Sequence, residues 1–173
     1  MKTLELWKNV TRDRSDILGD VLTALTNSGI AYCVIGDLGV NAYAEPVVSL
    51  DIDLVVAITD LERVQQIFAP RFRVDRHPHS LNLARAGSDL RVQFQCDPRY
   101  EVFLAHAREA DVLGLRLPVA RVEDVLQGKV WAALDPTRRA SKRQKDLADI
   151  ARLLEAHPAL RSCVPQEILD RLL

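Results

Sequence analysis

Residues 31–58 read AYCVIGDLGVNAYAEPVVSLDIDLVVAI, and this stretch decides the fold. Its first apolar run ends at Gly36, which indicates a buried strand, a glycine turn and then a short helix to about Ala44. Its second apolar run, 52–58, predicts another buried strand. Asp51 and Asp53 lie at the start of that second strand.

The two aspartates flank a single apolar residue, Ile52. Side chains alternate along a strand, so both carboxylates are expected on one face. Adjacent carboxylates repel and raise each other's pKa unless a cation lies between them. Oxygen ligands without a nearby His or Cys favour Mg²⁺ or Mn²⁺ over Zn²⁺, and such a site can hold a phosphate and activate a hydroxyl. The alternative is that Asp51 belongs to a turn or sheet edge and Asp53 makes a surface ion pair.

The turn at Gly36 favours the metal site. A strand that runs through a glycine into a helix presents backbone N–H groups that can bind phosphate. Thirteen residues separate Asp37, which follows this glycine, from Asp51.

These motifs resemble a known family. Ile35-Gly36-Asp37-Leu38 followed by Leu50-Asp51-Ile52-Asp53-Leu54 is similar to the signature of the DNA-polymerase-beta-like nucleotidyltransferase superfamily. A small bacterial branch, which includes AbiEii-type toxins of toxin–antitoxin systems, is resembled at further positions. Those positions are Val40-Asn41-Ala42-Tyr43, Glu45-Pro46, Lys129 and Lys145-Asp146-Leu147-Ala148-Asp149-Ile150. The resemblance covers about residues 20–155.

The resemblance implies nucleotidyl transfer. Asp51 and Asp53 would be the catalytic carboxylates and would hold Mg²⁺ (or Mn²⁺) against the phosphates of an NTP. An acceptor hydroxyl of a protein or an RNA would attack the α-phosphate, and pyrophosphate would leave. A cognate antitoxin or another partner protein is also implied. The residues expected to contact the nucleotide are Gly36, Asp37, Lys129, Lys145 and Asp146.

Two residues depart from the family pattern. Asp37 stands where the family has Gly or Ser, and its carboxylate would repel a triphosphate unless a metal relieves the repulsion or Asp37 turns away. The alternative is that Asp37 caps the next helix. Gln93 stands where the third carboxylate is expected, and an amide cannot act as a base. Asp97 and Asp75 are candidate substitutes. The alternative function is therefore a catalytically degenerate binding or regulatory protein that keeps the fold.

The basic residues near the C-terminus allow two interpretations. Lys129 falls within an apolar helical stripe, where a lysine either extends its ammonium to solvent or meets an anion. Lys145 and Asp146 either face the nucleotide or form helix-surface ion pairs. RNA contact and a solvated helix face both stay open for the basic run. That run comprises Arg138, Arg139, Lys142, Arg143 and Lys145.

The whole chain has 173 residues, a net charge of −1 and 48% hydrophobic residues. These values predict one globular domain and argue against disorder or a strongly basic nucleic-acid binder. Three widely spaced cysteines indicate reduced thiols and a cytoplasmic protein, and no apolar run is long enough for a membrane span.

We predict an α/β (α+β) fold with a mixed sheet flanked by helices. A nucleotidyltransferase-like sheet core would cover about 15–97, and a helical cap about 98–173. Further strands are predicted at 72–76, 81–85, 90–95 and, at a sheet edge, 115–119. Helices are predicted at about 15–27, 59–68, 100–110, 122–134 and 141–156, with a short tail helix from about Pro165.

Overall fold

The structure is a computed structural model that describes residues 3–13 and 16–172. The strands in this part are β1 (Tyr32–Ile35), β2 (Asp51–Val56), β3 (Arg73–His77), β4 (Ser80–Ala84), β5 (Arg91–Gln95), β6 (Arg108–Val112) and β7 (Leu115–Val119). The α-helices are α1 (Thr3–Val10), α2 (Ile17–Asn27), α3 (Gly36–Asn41), α4 (Leu61–Phe68), α5 (Val102–His106), α6 (Val122–Leu134), α7 (Ala140–Ala156) and α8 (Gln166–Leu169).

The strands form one mixed sheet in the order β3-β4-β5-β2-β1-β7-β6. β2 runs parallel to β5, and β1 runs parallel to β7, whereas the other neighbours are antiparallel. The predicted mixed α/β fold is therefore confirmed. The strands predicted at 81–85 and 90–95 form a hairpin, because β4 and β5 pair antiparallel across Gly87.

In the second half of the chain, three elements (α5, β6 and β7) differ from the sequence expectations. The helix predicted at 100–110 ends at His106, and the chain then forms edge strand β6. Leu113 and Gly114 both have positive φ, which makes the tight turn that folds β6 back onto β7. β7 is consequently an inner strand between β1 and β6, so the segment expected to be a helical cap also adds two strands to the sheet.

The other differences lie nearer the N-terminus. Helix α1 was not expected, and it buries Trp7 in the core. Helix α3 begins at Gly36 itself, directly after β1, with no separate turn between strand and helix.

Helices cover both faces of the sheet, and strand β2 divides its side chains between the two cores. Ile52, Leu54 and Val56 pack into the core shared with α1, α2 and α4. Val55 packs into the opposite core with α6 and α7. Because side chains alternate, Asp51 and Asp53 share the face of Val55 and look toward α6 and α7. Across residues 3–13 and 16–172, no helix has the length and apolar character needed to cross a membrane.

Phe94 of β5 tests the packing of the sheet on α4. It is fully buried and stacks on Phe68, with 5.9 Å between the ring centroids. We expect Phe94→Ala to lower the free energy of unfolding by about 3–5 kcal/mol, because the cavity cannot collapse around two rigid rings. Urea unfolding followed by circular dichroism measures this loss. Val102→Ala is the control, since Val102 is 51% exposed and should change stability by less than about 0.5 kcal/mol. Equal losses in the two variants would show that the core is not packed as described.

Candidate functional site

A cavity of about 620 Å³ lies over the polar face of the sheet, beneath α6 and α7. Strands β2, β3, β4 and β5 supply its floor, and the two helices supply a basic wall. Every residue predicted to bind metal or nucleotide lines this cavity. These residues are Gly36, Asp37, Asp51, Asp53, Lys129, Lys145 and Asp146.

Asp51 is one of the two carboxylates on β2, and it is paired with cations on both sides. Its Oδ1 lies 2.9 Å from Nε of Arg91, and its Oδ2 accepts a hydrogen bond of 3.1 Å from Nζ of Lys142. The Asp51 side chain is 26% exposed, so both ion pairs are open to solvent screening and to exchange. Asp51 is the first residue of β2 and pairs with Arg91 of β5, whereas β1 pairs with β2 only from Asp53 onward, so Asp51 stands at the end of the strand on that side.

Asp53 has a different environment. Among the described residues, none donates a hydrogen bond to its carboxylate or forms an ion pair with it, which excludes the predicted alternative of a surface pair. Burial, followed by the negative charges of Asp37 and Asp51, raises the pKa of Asp53 to about 6, although Lys129 and Arg138 act in the opposite direction. A cation bound to the carboxylate would stabilise its charged form and lower its pKa again.

Gly36 lies against the Asp53 carboxylate. A Cβ atom at position 36 would come within 2.1 Å of Oδ2 of Asp53. The φ angle of Gly36 is +63°, a region that side-chain-bearing residues rarely adopt. Glycine is therefore required at this position for two reasons, the lack of room for a Cβ atom and the positive φ. It allows the backbone of the β1–α3 junction to lie against the carboxylate.

Asp37 follows immediately, and its carboxylate is held by three donors. Lys129 Nζ lies 2.6 Å from Oδ1, while Ser49 Oγ, at 2.6 Å, and Lys145 Nζ donate to Oδ2. Burial alone would raise the pKa of Asp37, but Lys129 and the hydrogen bonds from these donors hold it well below its usual range. Asp37 is thus ionised and turned into the protein, and it does not cap α3 with its side chain.

Lys129 does not extend to solvent. Its side chain is 7% exposed, and its Nζ lies 2.6 Å from Asp37, 2.6 Å from Asp149 and 3.4 Å from Asp146. Burial alone would lower the pKa of Lys129, but these carboxylates raise it above its usual range. Asp146 in turn accepts a 2.6 Å hydrogen bond from Nε of Arg138. The predicted nucleotide-binding residues are therefore paired with one another.

Three of the five residues of the basic run line the cavity. Arg138, Lys142 and Lys145 contact Asp146, Asp51 and Asp37 respectively, so they form the basic wall. The other two members of the run, Arg139 and Arg143, are absent from the cavity lining.

Gln93 lies beside Asp53, as expected for the residue at the third carboxylate position. The parallel pairing of β2 and β5 aligns Gln93 with Asp53, and the row continues through Asn82 of β4 to Asp75 of β3. Three strand spacings of about 4.8 Å place Asp75 some 14 Å from Asp53, too far to share a metal with it. The other candidate substitute, Asp97, pairs with Arg99 and is not in the cavity lining.

Sequence reasoning missed three participants. Asp149 lies one helical turn after Asp146. The position of Lys129 in an apolar helical stripe could have indicated that it needs counter-ions, and Asp149 could have been one of them. Ser49 lies two residues before Asp51, a weak signal. Arg91 contacts Asp51 only because β5 pairs with β2, and that pairing has no local sequence signal.

With this geometry in place, comparison with known proteins identifies the fold. No protein-family model matches the sequence, and no curated protein is similar to it. Among solved structures, the antibiotic-resistance factor ANT(2'')-Ia in complex with adenylyl-2''-tobramycin has a TM-score of 0.63 at 14% identity, over 90% of this chain and 96% of that one. The lincosamide antibiotic adenylyltransferase LnuA, with lincomycin bound, has a TM-score of 0.56 at 12% identity, over 79% and 95%. A putative nucleotidyltransferase from Thermotoga maritima has a TM-score of 0.53 at 18% identity, over 69% and 84%. The fold is that of the nucleotidyltransferases.

The raised pKa of Asp53 leads to a prediction for stability. A carboxyl whose pKa is about 6 when folded and near 3.8 when unfolded favours folding below the lower value, and this contribution is lost as pH rises through 6. We therefore expect Asp53→Asn to raise the free energy of unfolding at pH 7 by about 1–3 kcal/mol, and by less at pH 4.5. Urea unfolding of both proteins at the two pH values measures the difference.

Asp75→Asn is the matched control for this experiment. Asp75 faces the same cavity, but it is 46% exposed and paired with Arg73, so its replacement should change stability by less than about 0.5 kcal/mol. A stability loss in Asp53→Asn at pH 7 would mean that the carboxylate has a partner that compensates its burial.

Proposed function

We propose that the chain is a metal-dependent nucleotidyltransferase that moves a nucleotide from an NTP to a hydroxyl group. The observation that carries this proposal is the Asp53 carboxylate, which has no ion-pair partner among the described residues and faces a cavity beside Asp51 and against Gly36 at the β1–α3 junction. Strongly perturbed carboxyls in clefts are typical of functional sites. The fold of the structural neighbours supports the same reaction class.

The residues present fit one divalent cation. Asp53 is an unpaired hard oxygen donor, and Asp51 shares its strand face with solvent-screened ion pairs that can be exchanged. The described residues contain no group of three or more His, Cys, Asp or Glu side chains with metal-binding geometry. This suits Mg²⁺, which usually takes one or two carboxylates and completes its shell with water and substrate phosphates. Bound there, such an ion would neutralise charge that develops on the transferred phosphoryl group.

The protein groups supply positioning and charge. Because Gly36 has no side chain, the Asp53 carboxylate lies directly against the backbone of the β1–α3 junction, so a cation held by Asp53 would lie beside this backbone. Lys142 and Arg138 stand on the opposite wall, where they would attract the phosphates of the NTP. The nucleotide would be held by Lys129, Lys145 and Asp146. The two lysines are linked to each other through their ion pairs with Asp37.

Two classes of acceptor hydroxyl fit the proposed reaction. The resemblance to AbiEii-type toxins suggests a protein or RNA hydroxyl and a cognate antitoxin as partner. Arg139, which is exposed and lies outside the cavity lining, is the member of the basic run best placed to contact an RNA. A small hydroxylated acceptor is the competing class, since two structural neighbours are named for antibiotics.

A catalytically degenerate binding protein is the second candidate. The observation in its favour is Gln93, which lies beside Asp53 and cannot remove a proton from an acceptor hydroxyl. In this case the cavity would bind an NTP without transferring it.

The first test of function is nucleotide transfer. Purified protein, Mg²⁺ and each of the four α-labelled NTPs are incubated with protein, RNA and small-molecule fractions of a cell extract. We expect label on one fraction, reduced at least about 100-fold in Asp51→Asn and Asp53→Asn because charge on the phosphates is no longer compensated. Asp75→Asn should retain transfer. Calorimetry with Mg²⁺-NTP separates the candidates: binding without transfer supports the degenerate protein, and no binding contradicts both.

Gln93→Asp tests whether the third carboxylate limits the rate. If the protein is an enzyme, a carboxylate beside Asp53 should raise the transfer rate by about 10- to 100-fold, because it can accept the acceptor's proton. Single-turnover labelling at fixed enzyme excess measures the rate. Gln95→Asp is the control. Gln95 lies on the same face of β5, two residues after Gln93, and aligns with Val55 instead of Asp53. Equal changes in both variants would show that added negative charge, not its position, is responsible.

A further inference from the structure

The Asp37 carboxylate occupies a ready-made anion site. Two ammonium groups and one hydroxyl converge on its oxygens, from Lys129 on α6, Lys145 on α7 and Ser49 before β2. This set of donors, drawn from three separate segments, is of the kind that binds a phosphate oxygen. The site opens onto the cavity, because Asp37, Lys129 and Lys145 all line it.

Both lysines that contact Asp37 have their charge compensated by carboxylates of the protein. Lys129 has further carboxylate partners in Asp149 and Asp146, and Asp146 is also paired with Arg138. For Lys145, Asp37 is the carboxylate that the described residues provide within ion-pair distance. Removing the Asp37 charge would therefore leave one uncompensated cation, Lys145, whose side chain is 41% exposed toward the cavity.

We propose that Asp37 is the resident anion of a phosphate-binding site formed by Lys129, Lys145 and Ser49, and that it sets the affinity of the cavity for phosphate ligands. An incoming phosphate must compete with a carboxylate that is tethered in place at high effective concentration. It must also tolerate a fixed negative charge that repels it. The ligand class is a phosphate or pyrophosphate group, such as the tail of a nucleoside triphosphate.

This inference deepens the proposed function, but its direct readout is binding and not transfer. Wild-type protein, Asp37→Ser and Asp37→Asn are titrated with inorganic pyrophosphate in the presence of EDTA, so that no metal contributes. We expect both variants to bind pyrophosphate about tenfold more tightly or better, because one repulsive charge and one competing anion are removed. The gain should shrink as salt concentration rises.

Two controls identify the site. Asp20→Ser removes a carboxylate that pairs with Arg85 at 2.7 Å outside the cavity lining, and it should leave pyrophosphate binding unchanged. Lys145→Ala added to Asp37→Ser should abolish the gain, because Lys145 is the cation that Asp37 releases.

The outcomes separate this inference from the proposed function. Folded variants that bind pyrophosphate no more tightly than wild type would overturn the inference, even if the wild-type protein transfers nucleotides. Failure of both variants to fold would overturn it too, since a ligand anion could not then replace the carboxylate. Tighter pyrophosphate binding in variants of a protein that transfers nothing would uphold the inference and contradict the enzyme.

Discussion

One buried ammonium group, that of Lys129, joins the three helices that enclose the cavity. It projects from α6, meets Asp37 at the start of α3, and meets Asp146 and Asp149 one turn apart on α7. A buried charge is costly unless its partners stand at hydrogen-bond distance, so these contacts restrict how α6 and α7 can sit on the sheet. Removing the lysine would leave Asp37 paired with Lys145 alone and Asp149 paired with Arg152 alone, so the buried carboxylates would lose their shared counter-ion.

The basic wall of the cavity follows from the same constraint. Once Asp146 and Asp149 are turned toward Lys129, the helical period of α7 directs Lys142 and Lys145 at the carboxylates of β2 and α3. A segment whose sequence resembles a solvated basic surface therefore becomes the lining of a site. Net charge conceals this arrangement, because the acids and bases that face each other cancel in the total of −1.

Local sequence patterns predicted the parts of the site that lie on one element. Alternation along β2 was enough to place Asp51 and Asp53 on one face, and the glycine after the first apolar run was enough to mark the junction of β1 and α3. Pairings between distant elements were not predictable in this way. Arg91 reaches Asp51 through strand pairing, and β6 was mistaken for the end of a helix because its alternation is weak and its partner follows a two-residue turn. The role of Asp37 was also hidden, since its partners Lys129 and Lys145 lie 92 and 108 residues away.

The balance of charges around the cavity indicates which kind of ligand the cavity can bind. The aspartates 37, 51, 146 and 149 are all ion-paired, whereas Asp53 has no such partner in the described part of the chain and its pKa is raised to about 6. Directly beside it stands Gly36, at a φ that side-chain-bearing residues rarely adopt and with no room for a Cβ atom. A module that only binds phosphate through its lysines would need neither an uncompensated carboxylate nor a backbone held against it. A site that brings a cation and a phosphate together needs both, whether it transfers the nucleotide or only binds it. These two features therefore support metal-dependent nucleotide binding, and Gln93 is the residue on which the choice between transfer and binding depends.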